Sequence, residues 1–164
     1  MTTTEQYDAI VIGAGQAGIP LSRALAGAGW KIALIERAHV GGTCVNEGCT
    51  PTKTMVASAR VAYLARRAGD YGVRTGPVAV DMGRVRQRKR EIVESFRGGN
   101  RQRIDGTENL DLLLGEARFV GLKEIEVTLN EGGTRRLTAG KVLINAGARP
   151  RVPALPGIED VPYL

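Results

Sequence analysis

The sequence predicts an α/β fold built on a parallel sheet, and three observations carry the prediction. Residues 9–12 (AIVI) form a continuous apolar run, the pattern of a central parallel strand buried on both faces. Directly after it comes the turn Gly13-Ala14-Gly15-Gln16-Ala17-Gly18, followed by Ile19, Leu21, Leu25 and Ala26 at near-helical spacing. Gly27 and Gly29 stop that helix, and residues 31–35 (KIALI) read as a second buried strand ending at Glu36. From Leu112 onward the pattern changes to short alternating strands, which predicts a small antiparallel meander beside the parallel sheet.

A chain of 164 residues is one domain in length, with a core large enough to fold without metal or disulfide staples. The two cysteines therefore need another explanation. A composition of 43% apolar and 24% charged residues excludes a disordered tail or a fibrous repeat. Glycine, at 22 residues, is the outlier, and it suggests that backbone approaches a ligand closely in several places.

The formal net charge of +6 raises nucleic acid or an anionic surface as a partner. Its distribution narrows that reading. Residues 84–103 hold eight basic residues against Glu91 and Glu94, a surplus of six, and the rest of the chain is neutral. Without interleaved aromatics, this stretch reads first as the solvated face of a helix, then as a surface for an anionic substrate or subunit, and last as a nucleic-acid surface. The first seven residues are polar and no run approaches the roughly 20 apolar residues of a membrane span, so a cytoplasmic protein with no membrane partner is expected.

Each glycine of the first turn has its own physical task. Gly13 permits the tight turn, Gly15 lets backbone approach a pyrophosphate, and Gly18 lets the helix pack against the strand. The phosphates would sit at the helix N-terminus, where free N–H groups and the macrodipole favour negative charge. Glu36, at the end of the second strand, has the place and chemistry to bind ribose hydroxyls, and its charge disfavours a 2′-phosphorylated ribose.

The motif Gly41-Gly42-Thr43-Cys44-Val45-Asn46-Glu47-Gly48-Cys49-Thr50-Pro51-Thr52-Lys53 follows immediately. On an unbroken helix, cysteines five apart would have Cα atoms about 8.6 Å apart. A disulfide needs about 4.4–6.8 Å, so a bridge requires a distorted turn opening a helix, which Asn46, Gly48 and Pro51 tolerate. Three readings stand at this point: two inert free cysteines, half of a zinc site, or a redox pair beside a nucleotide. The zinc reading lacks ligands, because His39 is the only histidine and reads as an exposed loop residue. A thiol at a helix N-terminus is stabilised as thiolate, which suits the redox reading.

GAGQAG with Glu36, followed by GGTCVNEGCTPTK, resembles the class I pyridine nucleotide-disulfide oxidoreductases, a family that includes dihydrolipoamide dehydrogenase, glutathione reductase and mercuric reductase. The resemblance covers nearly the whole chain and implies a Rossmann-like FAD-binding domain. It puts the FAD pyrophosphate at Gly13, Gly15 and Gly18, the adenosine ribose at Glu36, and the adenine near the backbone of Glu116 and Ala117. Gly42 and Thr43 would line the flavin side, with Lys53 reaching the flavin N5 edge. Cys49 would lie against the flavin as the charge-transfer thiolate, and Cys44 would be the interchange thiol that attacks substrate. Ala146 and Gly147 occupy a second FAD motif, departing from the family pattern at Ala146, where threonine is usual. Thr52 stands where serine or lysine is more common.

The resemblance also implies NAD(P)H as co-substrate, a disulfide or thiophilic small-molecule substrate, and a homodimer. Family members add an NAD(P)H domain, a central domain and an interface domain that donates a histidine base. The 164 residues alone are therefore expected not to turn over NAD(P)H. An FAD-binding electron carrier without disulfide chemistry is the alternative, and a basic nucleic-acid-binding protein ranks below it.

The remaining elements complete the picture. Residues 51–67 read as a helix with Met55, Ala59, Ala62 and Tyr63 facing the core, ended by Gly69. Asp81 is a plausible N-cap for a second helix with Met82, Val85, Ile92, Val93 and Phe96 on one stripe and a stop at Gly98-Gly99. Residues 112–114 and 117–120, the alternating Ile125, Val127 and Leu129, and Leu137 beyond a turn at Gly132-Gly133 read as the meander. Residues 141–144 (KVLI) return to a buried parallel strand. The FAD-binding domain then comprises residues 1–150, and the proline-rich residues 151–164 form an extended linker.

Overall fold

The computed structural model describes residues 4–162. Five strands, β1 (Thr4–Ile12), β2 (Ile32–Glu36), β3 (Leu110–Gly121), β4 (Glu124–Leu129) and β5 (Thr134–Ile144), hydrogen-bond in the order β1-β2-β3-β4-β5 and close back onto β1. β1 pairs in parallel with β2 and β5, and β2 in parallel with β3. β4 runs antiparallel to both β3 and β5. The parallel sheet and the expected meander are thus one continuous structure.

Two of its strands are longer than the sequence pattern suggests. β3 starts beside β2 and, from Gly115 on, pairs with β4, so residues 112–114 and 117–120 belong to one strand. Gly115 is where the partner changes, and a side chain there would lie 2.4 Å from the Thr128 carbonyl oxygen. β5 likewise runs unbroken through Gly140, joining Leu137 to residues 141–144. Glycine inside a strand pattern marks close backbone approach here rather than a strand end.

Alternation along the strands builds two cores. Ala9, Val11, Ile32 and Leu34 face the helices together with Ile19, Ala26 and Ile104. Ile10, Ala33 and Ile35 face the other way, into the ring, against Ile125, Val127, Leu137 and Ala139. Both faces of β1 and β2 are buried, which is why their sequences read as continuous apolar runs.

Among the described residues four helices lie outside the ring, the first and fourth packing on its strands and the second and third on the fourth. α1 (Gly18–Gly27) ends as expected, with Gly29 at φ +87°. α2 (Gly42–Asn46) is one short turn, and α3 (Cys49–Arg66) follows after a two-residue break. The predicted stripe of α3 is corrected. Met55, Ala59 and Tyr63 are exposed, while Pro51 and Thr54 are buried, so the helix packs on a more polar side than its apolar residues suggest. Gly72, in a left-handed conformation after a 3₁₀ turn at Ala68–Tyr71, ends this segment in place of Gly69.

Asp81 caps α4 (Met82–Asp105), accepting a hydrogen bond from the Arg84 backbone N–H at 3.0 Å. α4 does not stop at Gly98-Gly99 but continues to Gly106, because Ile104 is fully buried in the core and holds the last turns in place. Of its predicted stripe, Val93 is buried, whereas Met82 and Phe96 stay exposed. Residues 151–162 are irregular apart from a 3₁₀ turn at Ile158–Asp160, and all but the half-buried Ile158 are exposed. Among the described residues no helix is long and apolar enough to cross a membrane.

Candidate active site

The turn between β1 and α1 is fixed from several directions. Gly13 adopts φ +104° and donates its N–H to the Ile35 carbonyl at 2.7 Å. A methyl on Gly13 would fall 2.1 Å from the Asn145 oxygen, and one on Gly18 would fall 1.9 Å from the Gly13 oxygen. Protein packing therefore explains both glycines. Gly15 differs: its nearest neighbour would be the Asn145 amide nitrogen at 3.4 Å, ordinary contact, so the bare backbone there leaves space outside the protein's own packing. α1 has no side-chain cap and no acid in its first turn; Ile19 and Leu21 already donate to the Gly15 and Ala17 carbonyls and Pro20 has no N–H, so the N–H groups open to an anion are those of the turn itself, residues 15–18.

Glu36 also serves the turn. Its carboxylate accepts hydrogen bonds from the backbone N–H groups of Ala14 and Ala38, each at 2.9 Å. Each oxygen retains a lone pair, so the group braces the backbone and still has acceptor capacity for a hydroxyl. The second glycine motif locks onto the first: Gly41 donates to the Ala14 carbonyl at 2.7 Å, and the Gln16 amide donates to the Gly41 carbonyl at 3.2 Å.

A cavity of about 680 Å³ opens at the carboxyl ends of β1, β2 and β5, where open α/β sheets bind ligands. Gly13, Gly15, Glu36, Gly42, Thr43, Cys44, Glu116, Ala117, Ala146 and Gly147 all line it. Residues from five separate parts of the sequence are thereby brought together. Gly18 lies behind the turn, and Cys49 and Lys53 stand outside the lining. Several polar lining residues were not assigned to the site from sequence, among them Gln16, Arg37, Asn46 and Asn145. Asn145 carried a signal in sequence, a polar residue directly after a buried strand and two positions before Gly147. His39 is exposed, as expected of a loop residue, and borders this cavity and a smaller cleft of about 230 Å³.

The cysteines sit on either side of a helix break. Thr43 accepts both the Glu47 and Gly48 N–H groups, at 2.9 and 2.7 Å, and this tightened turn ends α2 before α3 starts at Cys49. The break supplies the distortion that a regular helix would have denied to cysteines at this spacing. Both are free thiols, Cys44 half-buried and Cys49 exposed at the α3 N-terminus. The hydrogen bond between the two thiols pushes Cys44 up from the ordinary thiol range, with burial and the charge of Cys49 adding to it; the positive charge of Lys53 acts weakly the other way. Cys44 thus keeps its proton to higher pH than an isolated cysteine.

Most of the basic residues of α4 face solvent, several in exposed pairs such as Arg84 with Glu91 and Arg101 with Asp105. Two also reach back to the protein, and the reading of a purely solvated face is corrected for them. Arg88 donates to the Thr54 carbonyl of α3 at 3.1 Å, and Arg97 donates to the Asn46 side-chain oxygen.

A family model described as pyridine nucleotide-disulphide oxidoreductase matches residues 7–164. Curated relatives include a mercuric reductase of Serratia marcescens, 36% identical over 93% of this chain and 34% of the relative. A dihydrolipoyl dehydrogenase of Chlorobaculum parvum is 34% identical over 96% of this chain and 33% of its own length. Among solved structures, a Cu(II) complex of the HOCl-induced flavoprotein disulfide reductase RclA from Escherichia coli superposes with a TM-score of 0.79 at 36% identity. That match covers 97% of this chain and 32% of RclA. The chain spans about a third of the length of these relatives.

Proposed function

Because this chain belongs to the pyridine nucleotide-disulphide oxidoreductase family, we propose that it is the FAD-binding, dithiol-bearing part of an NAD(P)H-dependent disulfide reductase. The observation that carries this reading is one juxtaposition. Cys44 lines the same cavity as the glycine turn, and the break between α2 and α3 sets Cys49 at the α3 N-terminus five residues on.

The residues fit FAD. The uncapped N-terminus of α1 and the bare backbone at Gly13 and Gly15 would hold the pyrophosphate, and Glu36 the adenosine ribose. Backbone at Glu116 and Ala117 would meet the adenine, and Gly42, Thr43, Ala146 and Gly147 would flank the flavin side, with Lys53, outside this lining, in the role of the residue that reaches the flavin N5 edge. Domain bounds of 1–150, with residues 151–164 in the role of linker, the last two lying outside the described residues, belong to the same reading.

In the dithiol form, Cys44 as thiolate attacks one sulfur of a substrate disulfide, forming a mixed disulfide and releasing the first substrate thiolate. Cys49 then attacks the Cys44 sulfur. The second thiolate departs, the Cys44-Cys49 bond forms, and the substrate has gained two electrons from the pair. Restoring the dithiol takes two electrons and two protons, the electrons being the redox chemistry that FAD supplies when bound. A thiophilic small molecule could meet the same two sulfurs. The whole protein would draw on NAD(P)H, work as a homodimer and operate in a reducing compartment such as the cytoplasm, where a cysteine pair serves redox chemistry rather than stapling.

The test is optical. The purified chain is loaded with FAD, freed of excess cofactor and reduced by two electrons under anaerobic conditions. Long-wavelength absorbance that survives in Cys44→Ser and vanishes in Cys49→Ser supports the assignment. Retained flavin with no dependence on either cysteine would make the chain an electron carrier. A colourless protein that retards DNA would replace the reading altogether.

A further inference from the structure

Asn46, the last residue of α2, lies between the two cysteines, and its side chain is held on both ends. The amide nitrogen faces three carbonyl oxygens, Gly42 at 2.9 Å, Val40 at 3.2 Å and His39 at 3.3 Å. The amide oxygen accepts the Nε–H of Arg97, which comes from α4, 51 residues along the chain. Reversing the amide would aim its oxygen at three carbonyls and its N–H₂ at a guanidinium, so the two contacts enforce a single orientation. Arg97 is half-buried, and its helix is anchored independently by Ile104 in the core and by Arg88 on the Thr54 carbonyl.

From this arrangement we propose that Arg97 is a positioning residue for the thiol pair. It acts through the Asn46 amide to hold the segment that keeps Cys44 beside Cys49. The inference rests on the reading of these cysteines as a redox pair. Its action is geometric, carried by the Asn46 amide that it holds. A segment held in one conformation presents each thiol to the other at high effective concentration, and a released segment must be ordered every time the bond forms. Loss of Arg97 therefore makes the Cys44-Cys49 disulfide easier to reduce.

The experiment equilibrates the 164-residue chain with mixtures of reduced and oxidised dithiothreitol. The Cys44-Cys49 bond forms as the cyclic disulfide of the oxidised reagent opens, two electrons and two protons passing to the reagent. Acid quenching, alkylation and mass analysis then give the equilibrium constant. Arg97→Ala is expected to lower the constant for disulfide formation roughly three- to tenfold, the size of one net hydrogen bond. Arg97→Lys keeps the charge but not the planar Nε–H, and should lower it too; a wild-type value there overturns the proposal. In a double-mutant cycle, Arg97→Ala should have no further effect once Asn46→Ala is present. An undiminished effect in that background, or a wild-type constant in a folded Arg97→Ala, also overturns it. A wild-type chain that never forms the disulfide in any mixture would sink both this inference and the redox reading beneath it, whereas a normal wild-type pair indifferent to Arg97 sinks this one alone. Near-UV circular dichroism establishes folding for each variant, and Arg97→Lys carries the test where Arg97→Ala does not fold.

Discussion

Asn145 closes over Gly13. Its backbone N–H donates to the Ile12 carbonyl at 2.7 Å, its side-chain amide donates to the Gly13 carbonyl at 3.2 Å, and its own carbonyl occupies the space where a Gly13 side chain would be. The end of β5 thus forms one wall of the glycine turn, and two segments more than 130 residues apart depend on each other. Two glycine substitutions separate what packing requires from what a ligand requires. Gly13→Ala forces a side chain onto a positive φ and into backbone, and should cost at least about 3 kcal/mol, a fall in Tm of roughly 10 °C. Gly15→Ala meets nothing closer than 3.4 Å and should stay within about 1 kcal/mol of wild type, yet weaken FAD at least roughly tenfold. Melting curves with flavin titrations check both, and equal melting temperatures for the two variants would contradict the distinction.

The thiol pair predicts a reactivity change of definite sign. Cys44 is held above the ordinary thiol range chiefly by its hydrogen bond with Cys49. A raised thiol has less thiolate at a given pH, and thiolate is the species that alkylates. Cys49→Ala removes the cause, so Cys44 should react faster with iodoacetamide near neutral pH in the variant than in the wild-type dithiol. Its rate-against-pH curve should move to lower pH. Residue-specific mass analysis resolves the two sites; slower or unchanged alkylation of Cys44 in the variant counts against the arrangement.

What could be read in advance was what is local in sequence. β1, the glycine turn and Glu36 were legible because a strand buried on both faces, a tight turn and a terminal acid each leave a mark within a few residues. The extent of β3 was not legible, because at Gly115 the strand changes partner, and which strand lies alongside is a tertiary fact. α3 misled for a different reason. Its apolar residues Met55 and Tyr63 are exposed, and its packed side includes Thr54, whose carbonyl receives Arg88. Asn46 and Arg97 gave no signal, since neither residue type announces a partner 51 positions away.

α4 offers a stability test of the same point. Gly98 and Gly99 look like a helix stop, yet the helix passes through them, and a methyl on either would touch nothing within 4 Å. Neither has a positive φ. Each therefore costs backbone entropy without a steric return, and Gly99→Ala should stabilise the protein by about 0.5–1 kcal/mol. The double change should add nearly as much again. Denaturant midpoints measure this, and destabilisation by Gly99→Ala would mean that the bare backbone there is needed for something else.

At the start of β1, Glu5 is bound by Arg135 of β5 through both carboxylate oxygens, and Arg135 also donates to Tyr7, whose hydroxyl donates to Asp111 of β3 at 2.7 Å. The network ties three strands together at the end of the ring remote from the cysteines. The Arg135 hydrogen bond holds the Glu5 carboxyl below its usual range, against a smaller opposing effect of burial. A depressed carboxylate contributes stability that is fully present above the unfolded-state value, about 4.3, and is lost as pH falls through the lower folded-state value. Glu5 is about a third exposed, so solvent screening limits the contribution to roughly 0.5–1 kcal/mol. Glu5→Gln should therefore lower Tm by a few degrees at pH 7, and the gap to wild type should narrow below about pH 4 as the wild-type carboxylate is itself protonated. Tm measured from pH 7 to pH 3 for both proteins decides it: a gap that is constant across the range, or that widens toward acid, is incompatible with a stabilising Glu5–Arg135 pair.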